Sequence, residues 1–146
     1  MIQPLASPRG YRIKESYRVR YEEIDAQGIV NHAQYANYLT GARVAYFRAM
    51  GFEPIDLTGN PVQLAVVHLG VDFRLPARFD DHLDVWCRVA KIGETSLSFE
   101  YQIVSGATQE VHAVAQTVLV AISLDGLAKV RVPDDLRRRV ERLEKW

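Results

Sequence analysis

The sequence predicts an α+β domain in which an antiparallel sheet curls around one long helix. Three observations carry that prediction. An apolar stripe at helical spacing runs from Tyr35 through Leu39, Ala42 and Tyr46 to Met50. After Pro61 the helical period gives way to strict alternation. Short turn segments, Gly93-Glu-Thr and Ser105-Gly-Ala-Thr, then divide the β-prone remainder into neighbours that hairpins can join.

Taken in order, residues 1–12 carry Pro4, Pro8 and Gly10 and read as a loose leader, without the basic start and long apolar run of a signal peptide. Ile13 to Tyr21 is β-prone and suits a first strand. Glu22 to Val30 contains Gly28 and reads as a loop. The helix is expected to start at Asn31, a strong N-cap residue, with Gln34 completing a capping-box-like pair. Gly51 supplies its stop, giving about five turns or roughly 28 Å. Val67, Leu69, Val71, Phe73 and Leu75 alternate with His68, Gly70, Asp72 and Arg74, which predicts a strand with one apolar face, closed by Pro76. Leu83–Ile92, Leu97–Ile103 and Val111–Ser123 follow, and Asp125-Gly126 ends the last. These four later strands are expected to form a meander joined by hairpins. From Pro133 to the end, an acidic start and basic continuation predict a charged tail helix.

At 146 residues the chain suits a single domain, 1–146, long enough to bury a core without staples. Its formal net charge of zero leaves no excess of Lys and Arg to neutralise phosphates, so neither nucleic acid nor an anionic membrane is expected as partner. No stretch approaches the roughly 18 apolar residues of a membrane span, and a cytoplasmic protein is the expectation. The single cysteine, Cys87, excludes an internal disulfide and a Cys-based zinc site. Within Val85-Trp-Cys-Arg-Val89 it reads as a buried structural thiol. His68 and His82 have no second ligand at metal spacing, so no metal is assigned.

The stretch with chemistry in it runs from Tyr21 to Tyr35. It puts a carboxylate, Asp25, on a glycine-containing loop and an imidazole, His32, seven residues later at the first turn of the predicted helix. A helix N-terminus presents unpaired N–H groups and partial positive charge. Chemistry that builds negative charge on a carbonyl oxygen needs such donors, with a carboxylate nearby to attack or to activate water.

The run Arg20-Tyr-Glu-Glu-Ile-Asp25-Ala-Gln-Gly28-Ile-Val30-Asn-His32-Ala-Gln-Tyr35 closely resembles the signature of the 4-hydroxybenzoyl-CoA thioesterase-like branch of the hotdog-fold superfamily. Phe73-Arg-Leu-Pro76-Ala-Arg78-Phe-Asp80-Asp81 matches that family's link between two strands, and Ala115-Gln116-Thr-Val-Leu-Val-Ala-Ile-Ser with Pro133 fits its ending. The resemblance covers the chain from about Tyr17 to Pro133. It implies a five-stranded antiparallel sheet wrapped around the helix, a homodimer with a continuous sheet, and often a homotetramer. It further implies active sites at the dimer interface and hydrolysis of a short-chain or aromatic acyl-CoA. No metal or prosthetic group is implied, coenzyme A being part of the substrate.

Carried over residue by residue, the resemblance makes Asp25 the catalytic carboxylate, either attacking the thioester carbon or deprotonating water. Gly28 lets the loop turn or lets backbone approach the thioester, and the N–H groups of Val30 to Ala33 would then face the carbonyl oxygen. His32 contributes its backbone N–H, with the imidazole assisting the thiolate or positioning the acyl chain. Tyr21 matches a tyrosine beside the catalytic carboxylate, or else is a core aromatic. Tyr35 belongs to the helix core or to the substrate pocket. Asn31 stands where relatives often carry an aromatic residue, which opens or re-lines the pocket. Arg78, Arg88 and Lys91 are the cations available for CoA phosphates. Two alternatives stand beside the acyl-CoA thioesterase. One is hydrolysis of acyl groups from an acyl carrier protein, and the other is a hotdog protein that binds acyl-CoA without turning it over.

Overall fold

Alternating burial along Ile13–Arg18 makes the first strand, β1, with Ile13 and Tyr17 turned towards the core. The structure, a computed structural model, describes residues 8, 10–53 and 62–146. Most of the predicted leader, residues 1–7 and 9, lies outside the described residues. Tyr11, near the leader's end, is buried, with the Arg88 guanidinium 4.6 Å above its ring.

The remaining elements are α1 (Gln34–Ala49), β2 (Val62–Phe73), β3 (His82–Ile92), β4 (Ser96–Ser105), β5 (Val111–Ser123) and α2 (Asp134–Glu144). Together the strands form one antiparallel sheet in the order β1-β3-β4-β5-β2. The expected four-strand meander therefore holds only for β3, β4 and β5. β2 lies at the far edge beside β5, so residues 74–81 run from that edge back to β3 instead of forming a hairpin.

A single five-turn helix starting at Asn31 is not what the chain builds. α1 has 16 residues, about 24 Å, and α2 adds a second, shorter helix. Asn31 does form a turn ahead of α1, accepting the Ala33 N–H on its side chain at 2.9 Å. The capping-box partner is absent, because the Gln34 amide donates to Glu23 at 2.7 Å instead. Tyr38, Leu39, Ala42, Tyr46 and Phe47 carry the buried face of α1, which lies over β1 and β3. Tyr46 and Phe47 meet Phe99 of β4. α2 is docked by Leu136 and Val140, both fully buried.

The apolar face predicted for β2 is largely open: Val67, Leu69 and Phe73 are 61%, 46% and 53% exposed. β2 is an edge strand that α1 meets at its Phe73 end through Tyr35, and a register shift between Val66 and His68 breaks the alternation there. Cys87 is buried on β3, and burial pushes its thiol well above the ordinary value, as suits a structural cysteine. Among the described residues no helix is long and apolar enough to cross a membrane.

Candidate active site

Gly28 reverses the chain at φ +76°, in the left-handed region open to glycine. Its N–H donates to the Asp25 carbonyl at 2.9 Å, and the Asp25 N–H donates to the Ile29 carbonyl at 2.8 Å. Asp25 thereby sits at the mouth of a closed loop. One carboxylate oxygen, Oδ1, accepts the Gln27 N–H at 2.8 Å in an Asx turn. The other oxygen has no hydrogen-bond partner among the described residues.

The loop is sewn to the segment that returns from β2 to β3. Val30 donates to the Ala77 carbonyl at 2.8 Å, and Ile29 bridges Arg78. That crossing closes a cavity of about 350 Å³ lined by Asp25, Gln27, Ile29, Val30, His32 and Tyr35 on one side and by Phe73, Arg74, Leu75 and Pro76 on the other. Tyr35 stands edge-on to Phe73, ring centroids 4.9 Å apart. Burial, with the Asp81 charge adding to it, raises the Tyr35 phenol above its ordinary range, so it stays protonated.

Of the residues singled out from the sequence, Asp25, Val30, His32 and Tyr35 meet in this cavity. Tyr21 does not: it is 73% exposed and packs edge-on against Phe79. Gly28 shapes the loop without lining the wall. The Asn31 side chain is spent on the Ala33 N–H. Arg78 joins through its backbone, donating its N–H to Asp81 at 2.8 Å, while Arg88 pairs with Glu100 at 3.1 Å.

The expectation of a row of free N–H groups from Val30 to Ala33 needs correction. Val30 donates to Ala77, Asn31 to the Glu23 carbonyl at 2.9 Å, and Ala33 to the Asn31 side chain. In that run only the His32 N–H has no acceptor among the described residues. The tight loop and the turn before α1 satisfy their own backbone, leaving one donor unengaged among the described residues.

Two features were missed from sequence. Phe73, Arg74, Leu75 and Pro76 enter the site because β2 ends beside the Asp25 loop, a fact of topology that alternation along one strand does not carry. Arg74, not Arg78, is the cation in the wall. Glu23 is a buried carboxylate behind the loop, and nothing in its polar neighbourhood, Tyr21-Glu-Glu-Ile, signals burial. A larger hollow of about 500 Å³ opens among His68, Asp72, Glu100, Gln102 and Gln116 on the sheet face turned away from α1. It brings together none of the residues of the Tyr21–Tyr35 motif, which meet in the smaller cavity, so the smaller cavity is the candidate site.

The family description "Thioesterase-like superfamily" matches residues 19–140. The chain is 35% identical over 88 residues to the acyl-CoA thioester hydrolase YbgC of Escherichia coli O6:H1, covering 60% of this chain and 66% of that protein, just under two-thirds of its length. It is 29% identical over 129 residues to the acyl-CoA thioesterase YbgC of Haemophilus influenzae, covering 87% and 93%. In fold it matches the DHNA-CoA thioesterase of Staphylococcus aureus with a TM-score of 0.82, at 21% identity and 91% coverage of each chain. The family match thus spans most of the sequence, and the chain belongs to the thioesterase-like superfamily, with YbgC-type acyl-CoA thioesterases among its relatives.

Proposed function

We propose that the protein hydrolyses the thioester of a short-chain or aromatic acyl-CoA to free acid and CoA thiol. One observation carries this reading: Asp25, which keeps an unengaged carboxylate oxygen, and His32, which keeps an unengaged N–H, both line the same cavity. The thioester carbonyl oxygen would accept the His32 N–H, which gains strength as negative charge develops on that oxygen. Asp25 then attacks the carbon, giving a mixed anhydride that water opens, or takes a proton from the water that attacks. In either version the C–S bond breaks with its electron pair leaving on sulfur, which takes up a proton, and the His32 imidazole assists that thiolate or positions the acyl chain. Ile29, Val30, Phe73 and Leu75 offer an apolar wall to the acyl group. Arg74 supplies a positive charge at the wall. Tyr21, Asn31 and Arg78 stand outside it and are assigned to the rim, where the longer parts of CoA would pass. The reaction so written uses no metal and no prosthetic group.

The same proposal includes a homodimer, with homotetramers as a further step, and a cytoplasmic setting. β2 pairs on one side only among the described residues, and its apolar side chains are open. Pairing of β2 with a second copy continues the sheet and brings that copy to the Phe73 end of the cavity.

Thiol release measured across acetyl-, hexanoyl-, palmitoyl-, benzoyl-, 4-hydroxybenzoyl- and phenylacetyl-CoA tests the reading. Turnover of a short-chain or aromatic member supports it. Silence across the panel from folded protein removes acyl-CoA hydrolysis and leaves carrier-bound substrates or a binding role.

A further inference from the structure

The Asp25 loop and the turn ahead of α1 have to be held in one geometry, and a single buried side chain joins them. Glu23 is 7% exposed. Its Oε1 accepts the Arg20 N–H at 2.8 Å and the Tyr38 hydroxyl at 3.1 Å. Its Oε2 accepts the Gln34 amide at 2.7 Å, with the Arg20 guanidinium 3.8 Å away. Its own carbonyl accepts the Asn31 N–H at 2.9 Å.

These partners lie on both sides of the reacting groups. Arg20 enters the loop, Asn31 leaves it, and Gln34 and Tyr38 occupy the first two turns of α1. Asp25 is two residues after Glu23, and the free His32 N–H is one residue after Asn31. Tyr38 is itself held, by ring contact with Tyr17 at 4.9 Å, so the anchor rests on the core. Removing a carboxylate from water is expensive, and a buried one is retained when donors converge on it. Here they converge from the two segments whose separation sets the distance between nucleophile or base and oxyanion donor.

We propose that Glu23 is a positioning residue for catalysis: it fixes the Asp25 carboxylate relative to the His32 N–H without touching substrate. This rests on the thioesterase reading. A displacement of about 1 Å at a reacting group costs up to about a hundredfold in rate, which makes the role measurable.

The test uses the best substrate of the panel and compares wild type, Glu23→Ala, Glu23→Gln, Asp25→Asn and the double variant Glu23→Ala/Asp25→Asn. Each is checked for fold by circular dichroism. Glu23→Ala is expected to lower kcat about ten- to a hundredfold with KM changed less than about threefold. Glu23→Gln keeps an oxygen for Arg20 and Tyr38 and recovers most of the loss. In the Asp25→Asn background the Glu23→Ala change is expected to cost less than about twofold, because a misplaced carboxylate matters only while it is catalytic. Wild-type kcat in folded Glu23→Ala, or the same fold-loss in both backgrounds, overturns the role of Glu23. Should Glu23→Ala not fold, Gln34→Ala decides: lowered kcat with Asp25 present and no effect with Asp25→Asn supports the proposal, and unchanged kcat overturns it. A wild type without Asp25-dependent turnover overturns the thioesterase reading itself, which separates the two failures.

Discussion

Gly41, in the middle of α1, shows how closely single residues are fitted behind the site. A Cβ there would collide with the Tyr17 hydroxyl, which lies against the helix and donates to the Tyr38 carbonyl at 3.4 Å. Burial pushes the Tyr17 phenol up to about 12, so it remains a neutral packing group. Helix propensity favours alanine at position 41 by about 1 kcal/mol, but overpacking against a fixed ring costs about 1–3 kcal/mol. Gly41→Ala is therefore expected to lose up to about 2 kcal/mol in denaturant unfolding; a gain in stability would show that Tyr17 moves freely. Residues this close in the chain to the motif were the most legible ones. Asp25, Val30, His32 and Tyr35 fall within eleven positions, where loop and helix geometry alone bring them together. Glu23 was not legible, since its burial comes from Tyr38 and Gln34 folding over it.

At the scale of elements, α2 illustrates a polar group carried into the interior by an amphipathic helix. Glu144, at its end, accepts the buried Tyr46 hydroxyl at 3.3 Å. Burial, the largest influence, raises the Glu144 carboxyl above its ordinary value of 4.5, and nearby Arg12 and the Tyr46 bond only partly oppose this. The folded state thus holds the proton to higher pH than the unfolded state, and stability declines as pH rises through and above 4.5. Glu144→Gln keeps an acceptor for Tyr46 and removes the charge. Its melting temperature is expected to exceed wild type near pH 7, with the difference closing as the pH falls below 4.5. An equal difference at both pH values would contradict this. Period and turn residues made these elements readable, including the tail helix. The order of strands was not: the alternation in Val67 to Phe73 describes a strand equally well beside β3 or at the far edge.

For the whole molecule, the edge position of β2 and the return of residues 74–81 past the Asp25 loop are one fact seen twice. The return closes the cavity, and the edge leaves Leu69 and Phe73 open to a second copy. β1, the opposite edge, is short and carries the Lys14–Asp84 pair, while Arg18 meets Asp80, features that discourage pairing there. Leu69→Lys is expected to convert the proposed dimer to monomer in light scattering and to lower turnover by about tenfold or more. A dimer of undiminished activity would place the interface elsewhere. The proposed reaction turns on one carboxylate, so the most direct measurement is the rate of thiol release by Asp25→Asn beside wild type on the same acyl-CoA. A loss of at least about a hundredfold, with fold and assembly unchanged, is the predicted result. Near-normal turnover by the folded variant would contradict the mechanism.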